Sequence, residues 1–293
     1  MKDYALVTDA TVDLPQSVLD EIGVKVIAMP IRLSDREVMY EPSQRQLSVK
    51  EFYQRLREGE KPETAQINMT LFLDTFIPLA KQGLDILYLS FSSGLSGTYQ
   101  SARMAGEELR QLYPDVRIWS VDTLSASVGE AAFIYEAARL KREGMSFEYL
   151  CAWAHDNRQR VNHWFTVEDL FHLYRGGRLS KSSAIMGTAL NIKPVLTMDE
   201  DGKLKVADKI RGKQRAFKRL VEMVDVTLAE DTRTLMVGHG DDLETAQRLA
   251  DMIKASHPEL EIILCDIGPV IGAHVGAGMV AAAYVGKPRN LRK

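Results

Sequence analysis

Cysteine is nearly absent from these 293 residues. Cys151 and Cys265 are too few for a disulfide framework or a zinc site built on thiolates alone. Metal-binding histidine pairs are missing as well, since His155, His163, His172, His239, His257 and His274 show no paired ligand spacing. Neither sign of charge dominates: 37 Lys and Arg face 40 Asp and Glu, a net −3. No global field therefore recruits nucleic acid. No apolar run approaches the ~20 residues a spanning helix needs. The opening MKDYALVTDATVD interrupts its apolar stretch with Asp3 and Thr8-Asp9, unlike a signal peptide. A soluble cytoplasmic protein is the expectation.

Nucleotide and hydrolase signatures are also incomplete. Gly286-Lys287 is followed by Pro288, and Ala281 stands where a Walker A motif needs its first glycine. Gly276-x-Gly278-x-x-Ala281 imitates a dinucleotide fingerprint but has no acidic residue about 20 positions on. Gly94-Leu95-Ser96-Gly97-Thr98 would be a nucleophile elbow if Thr98 were glycine. His239-Gly240-Asp241-Asp242 reads more simply as acids at a helix start than as a metal site.

What is present is a steady alternation of short β-rich runs with amphipathic segments. Tyr4–Val7 reads as a buried strand, and Pro15 starts a helix that Gly23 stops. Val24–Leu33 reads as a strand in which Pro30 marks an edge or an end. Helices are expected over 47–58 and 70–82, a strand over 85–89, and a helix ending at Leu112. A strand over 116–121 and helices over 125–143 and 146–157 follow. This order implies an α/β fold with a parallel sheet covered on both faces. Beyond the polar stretch 156–160 the style changes. A hairpin over 195–206, a basic helix over 213–228, a strand over 234–237, a helix over 243–255, a strand over 262–265 and a Gly/Ala-rich C-terminal helix are expected. The division into domains falls at 1–160 and 161–293.

Three segments bear on function. Ser92–Thr98 lies between a buried strand and a helix, where open α/β sheets bind ligands and where hydroxyls and free N–H groups suit a carboxylate or phosphate. A capping turn is the plainer account. A second hydroxyl loop, Pro62–Gln66, reads by itself as a capping segment. Arg175-Gly176-Gly177-Arg178-Leu179-Ser180-Lys181, before an apolar helix, joins Lys209, Arg211, Lys213 and Arg215 in the one marked concentration of positive charge. A solvated face or a phosphate or acidic-partner site would each explain it.

Together these segments resemble the DegV family of bacterial fatty-acid-binding proteins. The likeness lies in Thr8–Leu14, Ser92–Thr98 with Tyr99-Gln100-Ser101-Ala102, Gly176–Lys181, Ile192–Leu196 and Gly268–His274, spread over nearly the whole chain in the family's order. The resemblance implies a two-domain α/β protein that holds one long-chain fatty acid in an internal tunnel, without other cofactor and without catalytic machinery of its own. It implies that Thr64 and Ser96 hold the carboxylate, with Arg178 and His274 nearby. It also implies that a separate ATP-dependent kinase subunit, docked at Arg178 and Arg211, converts the acid to an acyl phosphate for phospholipid synthesis. Two departures stand out: Ala65 and Ile67 replace a serine and a proline after Thr64, and Ala10 replaces a common serine. The rival readings are a serine-dependent acyl hydrolase or phosphotransferase using Ser96, and an interaction module using the basic strip. The broken elbow and the absence of a recognisable base count against the first. Net charge and the lack of interleaved aromatics count against nucleic acid for the second.

Overall fold

Tyr4–Asp9 (β1) is buried along almost its entire length. Such a run belongs in the middle of a parallel sheet, where both faces are covered. The computed structural model describes residues 2–180 and 192–291 and places β1 there. It pairs in parallel with Val24–Ile27 (β2) and Asp85–Ser90 (β6), and β6 pairs with Ile118–Asp122 (β7), giving the order β2-β1-β6-β7. The first helix, Gln16–Ile22 (α1), starts after Pro15. It ends at Gly23, whose φ of 66° turns the chain left-handed and returns its N–H to Leu19 and Asp20 carbonyls.

Met29–Arg32 (β3), Glu37–Tyr40 (β4) and Glu63–Thr64 (β5) form a small antiparallel sheet in the order β4-β3-β5. The expected single strand over 24–33 is thus two, and Pro30 sits inside the central one. The missing N–H costs no bond to β4. The Met39 N–H opposite Pro30 turns away to Gln46 Oε1 (3.0 Å), while the Pro30 carbonyl accepts Ala65 N–H (3.2 Å).

The second half builds a six-stranded mixed sheet from Val161–Thr166 (β8), Ile192–Met198 (β9), Leu204–Arg211 (β10), Thr234–His239 (β11), Glu261–Asp266 (β12) and Val280–Val285 (β13). Its order is β10-β9-β8-β13-β11-β12, antiparallel except for β11 with β12. The Gly/Ala-rich end departs from the expected helix. Pro269–Val275 is helical, Gly276 (φ 77°) ends it, and Ala281-Ala282-Ala283 then runs through β13 between β8 and β11. Alanine's helix propensity yields to the need for small side chains in a strand covered closely from above. The apolar helix expected after Lys181 lies outside the described residues. Among those described, no helix is long and apolar enough to cross a membrane.

The cover over β13 is Ser127–Arg142 (α5), which also packs on β8 and β11. Although it follows β7 in the chain, it lies on the second sheet, and it is buried from Ser127 through Ile134. Gly129 permits the approach: a Cβ there would lie 1.8 Å from His163 Nε2. One core cluster consequently runs from Leu6 and Leu89 through Phe133 to Phe165, Met236 and Ala281.

Candidate functional site

The loop after β6 is folded by its own hydroxyls. Ser92 Oγ donates to the Gly202 carbonyl (2.7 Å) and accepts Gly94 N–H (3.2 Å), tying the loop to the β9–β10 turn. Ser96 Oγ accepts Thr98 N–H (3.2 Å) at the start of helix Thr98–Leu112 (α4) and lies 2.9 Å from Thr98 Oγ1. Thr98 Oγ1 also accepts Ile67 N–H (3.4 Å), so one threonine joins the two hydroxyl loops. When Thr98 donates to Ser96, the serine keeps its own hydrogen for a ligand.

Thr64, in β5, places Oγ1 2.8 Å from Nε2 of His274 on helix Pro269–Val275. Burial, reinforced by the nearby Arg178 guanidinium, pushes His274 down to about 4, so the imidazole is neutral near pH 7. With Nε2–H donating, Thr64 keeps a free hydroxyl hydrogen. His274 Nδ1 is buried with no hydrogen-bond partner. Gly176 admits the ring, since a Cβ there would lie 2.3 Å from Nδ1. Arg178, in the turn after helix Leu170–Arg175 (α7), donates through Nε to the Leu95 carbonyl (3.1 Å) and through Nη1 to Gly176.

These four side chains line one cavity between α5, the small antiparallel sheet and the six-stranded sheet. Its walls are mainly apolar and include Phe91, Val128, Phe165, Leu204, Ile271 and Ala281. The cavity has a volume of ≈170 Å³. Thr11 and Ser127 also face it, but their hydroxyls are engaged with buried carboxyls of Glu130, Asp9 and Asp13. Polar capacity is thus concentrated at the Thr64–Ser96–Arg178–His274 end, where Thr64, Arg178 and His274 also border an outer surface basin.

Of the sequence-derived candidates, Thr64, Ser96, Arg178 and His274 come together. Arg211 does not: it is the exposed last residue of edge strand β10 and lines neither cavity nor basin. Among the described residues Ser96 Oγ makes hydrogen bonds only within Thr98, with no imidazole or carboxylate in reach. Nor does any group of three or more His, Cys, Asp or Glu form a metal-holding cluster there. Sequence reasoning missed Phe165 and strand β8, whose polar–apolar mixture VNHWFT is fully buried. It also missed Thr11 and Ser127, because a hydroxyl carries no sign of whether it faces a void.

The same fold recurs in known proteins. The family model described as "Uncharacterised protein, DegV family" matches residues 3–287. A DegV domain-containing protein of Clostridium perfringens is 37% identical over 291 residues, covering 99% of this chain and 100% of its own. Among solved structures, a DegV family protein from Thermus thermophilus, described for its fatty acid binding, is 30% identical with a TM-score of 0.83, covering 97% of this chain and 99% of that one. A fatty acid binding DegV family protein from Streptococcus agalactiae is 29% identical with a TM-score of 0.85, covering 98% and 99%. With end-to-end coverage, a shared α/β architecture and that level of identity, the chain belongs to the DegV family.

Proposed function

We propose that this protein binds one long-chain fatty acid in the cavity and presents its carboxylate to a separate ATP-dependent kinase subunit in the cytoplasm. The supporting observation is a mainly apolar void with hydroxyls, a guanidinium and a neutral imidazole gathered at one end. In this reading residues 1–160 and 161–293 act as two domains with the head group near their junction. Thr64 and Ser96 donate to the carboxylate, hydrogen bonds to a charged acceptor being the stronger kind. His274 directs the Thr64 hydrogen outward, and Arg178 adds a cation. Burying ~14 methylenes at ~0.8 kcal/mol each supplies a gross ~11 kcal/mol, part of it offset by association and ordering. In the transfer step a carboxylate oxygen attacks the γ-phosphorus of ATP, the bond to the bridging oxygen breaks, and acyl phosphate and ADP result. The chemistry belongs to the partner; this chain holds and orients the acid.

Native mass spectrometry of the purified full-length protein is the direct test: an added mass extractable as a fatty acid is expected. Ser96→Ala and Thr64→Val should each weaken fatty-acid binding by about 1–3 kcal/mol, the range for losing a hydrogen bond to a charged group. Wild-type affinity in both variants would remove the head-group assignment, and no binding of any C12–C18 acid would remove the function. Turnover of acyl esters that Ser96→Ala abolishes would instead favour a hydrolase.

A further inference from the structure

The basin outside Thr64, Arg178 and His274 has a volume of ≈530 Å³ and is bordered by Lys61, His172 and Arg175 as well. Its charges do not cancel. Both acids on its rim are turned to other partners. Glu60 accepts Ser34 N–H (2.6 Å) and Ser34 Oγ–H (3.0 Å) and lies 3.6 Å from Arg55, and Glu63 lies 3.5 Å from Arg32. Lys61 and Arg175 are exposed, and among the described residues neither has a carboxylate within 4.0 Å. Residues 181–191 contain no Asp or Glu that could supply one. Among the described residues Arg178 bonds only to the neutral carbonyls of Leu95 and Gly176. The histidines register the same field. Burial first, and then Arg175, holds His172 below its ordinary value despite Asp169, as burial and Arg178 do for His274.

Three uncompensated cations therefore converge on a concave space that continues the head-group end of the cavity. A fatty carboxylate neutralises one of them. In the acyl phosphate the carboxylate charge is gone and the phosphoryl group carries nearly two negative charges, so the product matches two of the three cations where the fatty acid matches one. Arginine forks and lysine point charges are the usual receivers of such a group.

We propose that Lys61 and Arg175 form a phosphoryl subsite at the mouth of the cavity. They hold the phosphate end of the acyl phosphate while Thr64 and Ser96 keep the acyl carbonyl end. This rests on the fatty-acid reading of the cavity. It assigns the basin to the product as well as to an approaching partner. A small dianion is favoured over an acidic protein surface because the cations surround a hollow that shares its inner wall with the carboxylate site.

The test compares two ligands on the full-length protein by calorimetry: a saturated fatty acid, and the β-ketophosphonate of the same acyl chain, in which a methylene replaces the bridging oxygen of the acyl phosphate. Wild type should bind the phosphonate more tightly, by a margin that shrinks as salt rises. In Lys61→Gln/Arg175→Gln the ratio of phosphonate to fatty-acid affinity should fall about tenfold or more, and each single variant should lower it by about threefold. An unchanged ratio overturns the subsite, as does equal weakening of both ligands. An unchanged ratio with lost phosphorylation by a cognate kinase would assign these cations to docking instead. Wild type that binds neither ligand would remove the fatty-acid reading itself, and the subsite with it.

Discussion

At the scale of single residues, the wall between cavity and sheet is decided by counting hydrogens. Thr8 Oγ1 has one, yet lies 2.9 Å from both the Leu89 carbonyl and Glu130 Oε1. A carbonyl can only accept, so the contact with Glu130 is completed when the carboxyl carries a proton. Thr11 Oγ1 is shared in the same way, 2.6 Å from both Glu130 Oε2 and Asp9 Oδ1. Burial, with Asp9 nearby, raises Glu130 well above the ordinary carboxyl value, outweighing the bonds from Thr11 and Thr8. In the unfolded chain Glu130 ionises near pH ~4.3. Above that pH the unfolded state has released a proton the folded state keeps, so stability falls as pH rises toward the folded value. Asp9 and Asp13 are raised too and act with the same sign. Glu130→Gln supplies the donor and acceptor of the neutral acid, so urea unfolding over a pH series should show a flatter decline than wild type. Glu130→Leu leaves Thr8 its bond to Leu89 and Thr11 its bond to Asp9 but removes the buried partner each shares, and should cost about 1–3 kcal/mol. A glutamine variant with the wild-type pH slope would contradict a protonated Glu130. None of this was readable beforehand, because a Glu in a helical stretch usually marks the solvent side. By contrast Ser96 stood in a loop already suited to a ligand, whereas Thr64 was singled out only by the family resemblance, its loop reading by itself as a cap.

At the scale of elements, the cavity exists because α5 and β13 approach without filling the space between them. Ala281 and Ala283 share the α5-facing side of β13 by the alternation of a strand, and both line the cavity. Larger residues there would fill the cavity. Ala283→Leu should therefore weaken a C18 acid by about 1–3 kcal/mol, a few methylenes at ~0.8 kcal/mol each, while a C10 acid loses little. Overpacking could itself cost stability, so thermal unfolding of the variant is measured alongside. An unaltered chain-length preference in a folded variant would mean the acyl chain does not run along β13. The C-terminal expectation failed at the same place. Alanine reads as helix in isolation, and only the neighbours β8 and β11 make it a strand. Strand β1 and helix α1 were legible because a buried apolar run, a proline start and a left-handed glycine stop are local signals.

At the scale of the whole molecule, the two sheets are not independent, since α5 from the first half caps the second and one core cluster spans both. The head-group end draws on segments up to 210 residues apart, as in the Thr64–His274 bond. The surface proposed to meet a partner is likewise composite. Arg178 is folded into the cavity mouth by two carbonyls, whereas Arg211 stands exposed at the end of β10 with no carboxylate partner among the described residues. Arg211→Glu should lower the rate of acyl-phosphate formation by a cognate kinase, most strongly at low salt, and leave fatty-acid affinity at the wild-type level. Wild-type phosphorylation would end the docking role. Lost ligand binding would place Arg211 in the fold.

The amino-acid order by itself determined the α/β alternation, the strand and helix starts with local punctuation, and, through five ordered segments, the family. It also placed Ser96 in a loop suited to a ligand, while Thr64, Arg178 and His274 were singled out through the family resemblance, since by themselves they read as a cap, a solvated charge and a structural histidine. Only the tertiary structure decided that these four face one void, that Arg211 stands apart, that Thr11, Ser127 and Glu130 form a polar seam behind the apolar wall, and that Lys61 and Arg175 border the mouth. The physical reason is that a cavity is space left unfilled between elements distant in the chain. A side chain's identity states what it can bond, while the packing of other segments decides what it faces.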